Sequence, residues 1–185
     1  MARNHPIVCA LGYSEAAMFL RSPEAASVQA IISIYGKREF GVESSIPLRL
    51  DLEFDDVPAG DESDPVSMYH VRMQARHDAE IGRPRVPPTM DQARAILAFA
   101  ESVRHLDGIV LCHCAGGISR SPAAALLCLA QWTAPGEEEA CVHTLERVRR
   151  SASPHLDLVR FGDTLLGRNG RLFAAVQKIL FGKGT

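Results

Sequence analysis

Residues Leu48, Leu50, Leu52 and Phe54 are apolar, and the residues between them, Arg49, Asp51 and Glu53, are charged. This period of two predicts a strand over 47–54 with the four apolar side chains facing inward. Ile109-Val110-Leu111-Cys112-His113 is instead a nearly unbroken apolar run, as a strand covered on both faces of a parallel sheet requires. Ile7 to Leu11 and Val28 to Tyr35, the second ended by Gly36, read as two further strands. Helical spacing appears at Ala93, Ile96, Leu97, Ala100 and Val103, behind a Thr89/Gln92 pair placed to form a capping box, and Leu106-Asp107-Gly108 closes that helix. Ser14 is expected to cap a helix from Glu15 to Arg21. Others are expected over Pro122 to Trp132, Glu137 to Arg150, Leu156 to Leu166 and Leu172 to Leu180. The stretch Pro58 to Pro88 is rich in Gly, Pro and charge, and its periodicity is weak. It is expected to be a long surface loop with at most a helical turn around Val66 to Arg72.

Strands alternating with helices predict an α/β fold: one domain over 1–185 with a mostly parallel central sheet flanked by helices. The length of 185 residues suits one core better than two. Composition changes this picture little, with 46% apolar and 23% charged residues and a net charge of -2. That balance gives no electrostatic footing for nucleic acid or an anionic membrane. The longest apolar stretch, Ala123 to Trp132, is about half a bilayer span, and Ile7 to Leu11 is short for a secretory leader. A cytoplasmic protein is expected, with its five scattered cysteines reduced. Their spacing matches no metal site, and no cofactor is expected.

Candidate chemistry concentrates in His113-Cys114-Ala115-Gly116-Gly117-Ile118-Ser119-Arg120-Ser121, set between a buried strand and a helix. Backbone N–H groups of a tight loop ending on a helix N-terminus converge on one point, where the helix dipole adds positive charge. Gly116 and Gly117 permit backbone angles that larger residues resist. Arg120 offers a planar fork for two oxygens of a phosphate. The same field favours the thiolate of Cys114, so a nucleophile and an anion pocket coincide. Ser121 is placed to hydrogen-bond the sulfur, and His113 to orient the loop.

Cys114, five residues, Arg120 and Ser121, preceded by His113 and with Gly117 at the signature glycine, resembles the cysteine-based protein tyrosine and dual-specificity phosphatases. Gly116 departs from the alanine usual there. Small bacterial members, whose tails carry a Gly-Arg-x-Gly-Arg stretch, resemble this chain most through Gly167 to Arg171. The resemblance implies a phosphocysteine intermediate at Cys114, phosphate binding by Arg120 and the backbone of Ala115, Gly116, Gly117, Ile118 and Ser119, and no metal. It implies a phosphorylated protein or small phosphomonoester as substrate.

The mechanism also needs a carboxylic acid for the leaving oxygen, and no Trp-Pro-Asp triplet supplies one. Strand alternation turns Asp56 inward and Asp55 outward, making Asp56 the first candidate, with Asp55, Asp51, Asp61 and Asp64 behind it. Cys112 and Cys9 read as small core residues, with a resolving thiol for Cys114 as the alternative. Arg147, Arg149 and Arg150 read as the end of a helix. A phosphate-binding module with little turnover is the alternative function, and sulfur transfer or arsenate reduction ranks below it.

Overall fold

The computed structural model describes residues 5–60 and 63–182. Four parallel strands, β1 (Ile7–Gly12), β2 (Val28–Tyr35), β3 (Leu48–Glu53) and β4 (Ile109–Cys114), form one sheet in the order β1-β4-β2-β3. β4 thus lies inside the sheet, where its backbone is paired on both sides and its apolar run is covered on both faces. Val110, Leu111 and Cys112 are fully buried, as their unbroken hydrophobicity requires.

Helix α1 (Tyr13–Phe19) and a short 3-10 turn over Pro23–Ser27 connect β1 to β2. α1 starts two residues earlier than its sequence suggested, and Gly12 rather than Ser14 occupies its cap, because Glu15 turns back to accept from the Gly12 N–H at 2.7 Å. Helices α3 (Met90–Ser102), α4 (Arg120–Trp132), α5 (Glu138–Val148), α6 (Leu156–Leu165) and α7 (Arg171–Val176) gather over the larger core, and a π turn over Gln177–Phe181 follows α7. A smaller cluster of Ala16, Val28, Ile31, Val42 and Leu111 packs on α1. The Thr89/Gln92 box forms, with Gln92 accepting from the Thr89 N–H at 2.8 Å and donating its own N–H to Thr89 at 3.3 Å.

The expected long loop is largely a helix. α2 (Pro65–Glu80) runs for 16 residues from an Asp64 cap whose side chain accepts from the Val66 N–H, with proline in the first turn. Its apolar residues follow no stripe because α2 buries only Asp78, which pairs with Arg85. Val66, Tyr69 and Met73 stay exposed. The excursion closes on itself: the Asp55 N–H donates to the Val86 carbonyl at 2.7 Å, and the Val86 N–H donates to Asp55 Oδ2 at 2.8 Å. Among the described residues no helix is long and apolar enough to cross a membrane.

Candidate active site

Parallel sheets present their binding crevices at the carboxyl ends of the strands. Here β4 delivers Cys114 to that edge, and the chain turns through 115–119 directly into α4, which begins at Arg120, two residues before Pro122. The loop takes its shape from donors that pull its carbonyl oxygens outward. Tyr13 N donates to Ala115 O at 3.0 Å, Ser153 N to Ile118 O at 2.8 Å, and Ala123 N and His155 N to Ser119 O at 3.1 and 3.2 Å. Arg149 Nη2 reaches Gly116 O at 3.4 Å. With those oxygens held outside, peptide geometry turns the amides of the same units inward. Gly117 N donates to Cys114 Sγ at 3.3 Å.

Cys114 is 2% exposed, at the floor of this cradle. Ser121 Oγ lies 3.2 Å from the sulfur and 3.1 Å from Leu11 O. Its one proton can be given to the carbonyl while Cys114 is a thiol, or to the sulfur once that is an anion. Arg120 is 3% exposed, with Nη1 donating to Glu39 Oε2 and Phe54 O and Nη2 to Glu39 Oε1, at 2.8, 2.9 and 3.0 Å. Burial opposes charge on both partners of this pair. The mutual hydrogen bonds and attraction outweigh it, so Glu39 sits below the ordinary carboxyl range and Arg120 above its own. Arg120 Nε is buried without a hydrogen-bond partner.

Behind the loop, Arg49 Nη2 donates to Ser33 Oγ at 3.2 Å, leaving the Ser33 hydroxyl to donate to His113 Nε2 at 2.8 Å. Val42 N also donates to Nε2, at 3.4 Å, so the ring carries its proton on Nδ1. Burial, helped by the charge of Arg49, pushes His113 down to about 4 and keeps it neutral at pH 7. Its ring meets Ser33, the Val42 N–H and, edge-on, the ring of Tyr13, with centroids 6.4 Å apart.

Asp56 faces the loop: Ser119 Oγ donates to its Oδ1 at 2.6 Å, and His155 Nε2 lies 3.9 Å away. It lies beyond the end of β3 at Glu53, at a bend over residues 56–57, and it stays exposed where an inward side chain was expected. The other acids have different work. Asp55 is tied to Val86, Asp64 caps α2, and Asp51 pairs with Arg49 at 2.7 Å. Asp61 lies outside the described residues. Cys112 is fully buried, and its contact with Cys128 and its burial push the thiol well above its usual range, which makes it a poor nucleophile. Among the described residues no group of three or more His, Cys, Asp or Glu could hold a metal ion.

Solved structures superpose on most of the chain. Human DUSP28 does so at 15% identity with a TM-score of 0.55, covering 91% of this chain and 99% of its own. The fold is that of the dual-specificity phosphatases. DUSP15 matches at 14% identity and 0.56 over 97% of this chain and 96% of its own. The human tyrosine phosphatase-like serine/threonine/tyrosine-interacting protein matches at 16% and 0.56 over 86% and 91%. PTPMT1, solved in complex with PI(5)P, matches at 17% and 0.52 over 91% and 97%. The sequence matches no family model and no curated protein. Within this dual-specificity phosphatase fold, sequence reasoning missed Glu39, Arg49, Ser33, Arg149 and the 153–155 segment. Glu39 had one signal: it follows β2, at the same carboxyl edge as the loop.

Proposed function

We propose that residues 1–185 form a single phosphatase domain, cytoplasmic, that hydrolyses phosphate monoesters, with phosphotyrosine in proteins as the leading substrate. The observation that carries this reading is the sulfur of Cys114 beneath inward-turned amides, with Gly117 N and Ser121 Oγ in contact and Arg120 Nε unpartnered beside the pocket. Cys114 attacks phosphorus in line, the phosphoryl group passes to sulfur, and Asp56 gives its proton to the departing oxygen. Water then attacks the phosphocysteine, releasing phosphate and the Cys114 thiolate, which Ser121 stabilises. Arg120 and the amides of 115–119 hold the phosphoryl oxygens as their charge redistributes. An aromatic leaving group is supported by Tyr13 and Phe40, 41% and 79% exposed, which with Ser14, Glu39 and Ala115 line a groove of about 360 Å³ beside the loop.

The test is hydrolysis of p-nitrophenyl phosphate with and without EDTA, orthovanadate and Cys114→Ser, followed by matched phosphotyrosine and phosphothreonine peptides. Metal-independent, vanadate-sensitive turnover that vanishes in the variant is expected, with the tyrosine peptide preferred. Undiminished activity in Cys114→Ser, or activity that needs a divalent metal, overturns the reading. In the alternative, a phosphate-binding module with little turnover, the amides of the loop and Arg120 Nε would hold the anion, since both Nη atoms of Arg120 are engaged by Glu39 and Phe54. Turnover of about 1 per second or faster removes it.

A further inference from the structure

The peptide unit joining Gly116 to Gly117 is held at both ends. Its N–H, on Gly117, donates to Cys114 Sγ at 3.3 Å, and its carbonyl oxygen, on Gly116, faces Arg149 Nη2 at 3.4 Å. Among the described residues the other outward contacts of the loop come from backbone N–H groups, and Arg149 is the side-chain cation that joins them. Arg149 is itself fixed: Nη1 donates to both oxygens of Glu15 at 2.8 Å, and Glu15 accepts from Gly12 N at 2.7 Å. A cation on the oxygen end of an amide polarises it and strengthens the N–H at the other end.

Building on the phosphatase reading, we infer that Arg149 is a positioning residue that orients and polarises the Gly116–Gly117 peptide, so that its N–H stabilises the Cys114 thiolate. Arg149 touches neither the sulfur nor the phosphate site and acts through this peptide. The other charged or titratable groups around the sulfur are Arg120, through it Glu39 and Asp56, and on β4 itself His113 and Cys112. Those facing Arg149 are Glu15 on α1 and Cys9 on β1.

The test compares the wild-type protein with Arg149→Met by alkylation of Cys114 with iodoacetamide, followed by mass spectrometry of the peptide that contains it. At pH 6 the variant is expected to react about three- to tenfold more slowly, the loss appropriate to one weakened hydrogen bond. At pH 9, where a thiol ionises without help, the gap closes. Arg147→Met, in the last turn of α5 two residues before Arg149, is the control, since Arg147 is exposed and bonded to Thr144. Equal rates at pH 6, or equal slowing at both pH values, as simple loosening of the loop would give, overturns the inference. If Arg149→Met does not fold, Arg149→Lys decides, because it keeps the charge and loses the fork that spans Glu15 and Gly116. It should be at least twofold slower at pH 6 only, and wild-type rates refute the proposal. Alkylation needs no substrate, so a protein that hydrolyses nothing fails the functional reading alone. Normal hydrolysis with unchanged alkylation fails this inference alone.

Discussion

Adding one methyl group at either of two adjacent glycines should have opposite consequences. At Gly117 φ is +68°, and an added Cβ would lie 2.3 Å from Gly12 N, 2.6 Å from the Leu11 carbonyl carbon and 2.9 Å from Arg149 Nη2. The left-handed backbone costs alanine about 1–2 kcal/mol. The first two neighbours are backbone atoms of the β1–α1 junction and cannot rotate aside, so relieving the overlap costs a further ~1–3 kcal/mol. Gly117→Ala is therefore expected to lose about 2–5 kcal/mol of stability. It should also lose at least about tenfold in kcat/KM, since the shift carries the Gly117 amide off the sulfur. At Gly116 φ is not left-handed, and the nearest atom, Ile118 Cδ1, is 4.0 Å from the added Cβ, an ordinary contact. Gly116→Ala is expected to gain roughly 0.4–1 kcal/mol by restricting the unfolded chain. Urea unfolding, followed by the fluorescence of the single tryptophan, the buried Trp132, measures both. The reasoning is refuted if Gly117→Ala unfolds within about 0.5 kcal/mol of the wild type, or if Gly116→Ala loses as much as its neighbour.

Asp56→Asn should lower kcat on phenyl phosphate about 100-fold or more and barely alter it on 2,4-dinitrophenyl phosphate, whose leaving group needs no proton; equal losses would remove Asp56 from the acid's role. His113 is held down to about 4 when folded and returns to about 6.5 when unfolded, so the unfolded chain takes up its proton first as pH falls. The stability it carries is intact above pH 6.5 and drains away toward pH 4, by about 3 kcal/mol in all, and urea midpoints should fall across that window less steeply in His113→Gln. Asp163, 3% exposed, accepts from the N–H groups of Gly170, Leu172 and Phe173 at 2.6, 2.7 and 3.1 Å. Asp163→Ala should cost about 2–4 kcal/mol in the same unfolding assay while leaving kcat unchanged, because the N–H groups it strands belong to the start of α7 and to no residue of the loop.

The strand, loop and helix around Cys114 were legible because their signals are continuous in sequence: an apolar run, two glycines and an arginine within a few positions. α3 was legible because it has a periodic face pressed on the core, and β3 because Leu52 and Phe54 are buried, although Leu48, at the start of this edge strand, is 41% exposed and not inward as expected. α2 escaped because periodicity records burial, and a helix that buries one residue has none to record; its remaining marks were the Asp64 cap and Pro65. The residues that shape the loop were hidden for another reason. Tyr13, Arg149, Ser153 and His155 are brought to it by topology from both ends of the chain, and Arg149 read locally as no more than a helix terminus. Asp56 was reached by an argument from alternation, yet it lies beyond the end of β3, exposed at a bend where it meets Ser119.

The tie between Asp55 and Val86 closes a detour whose first residues still lie against Ser119, His155, Asp157 and Arg160, and whose helix, α2, buries only Asp78. Loop-closure entropy changes slowly with length, so a bridge of a few residues in place of α2 would strain neither junction. The length and decoration of α2 can therefore change without disturbing Asp56, Ser119 or Cys114.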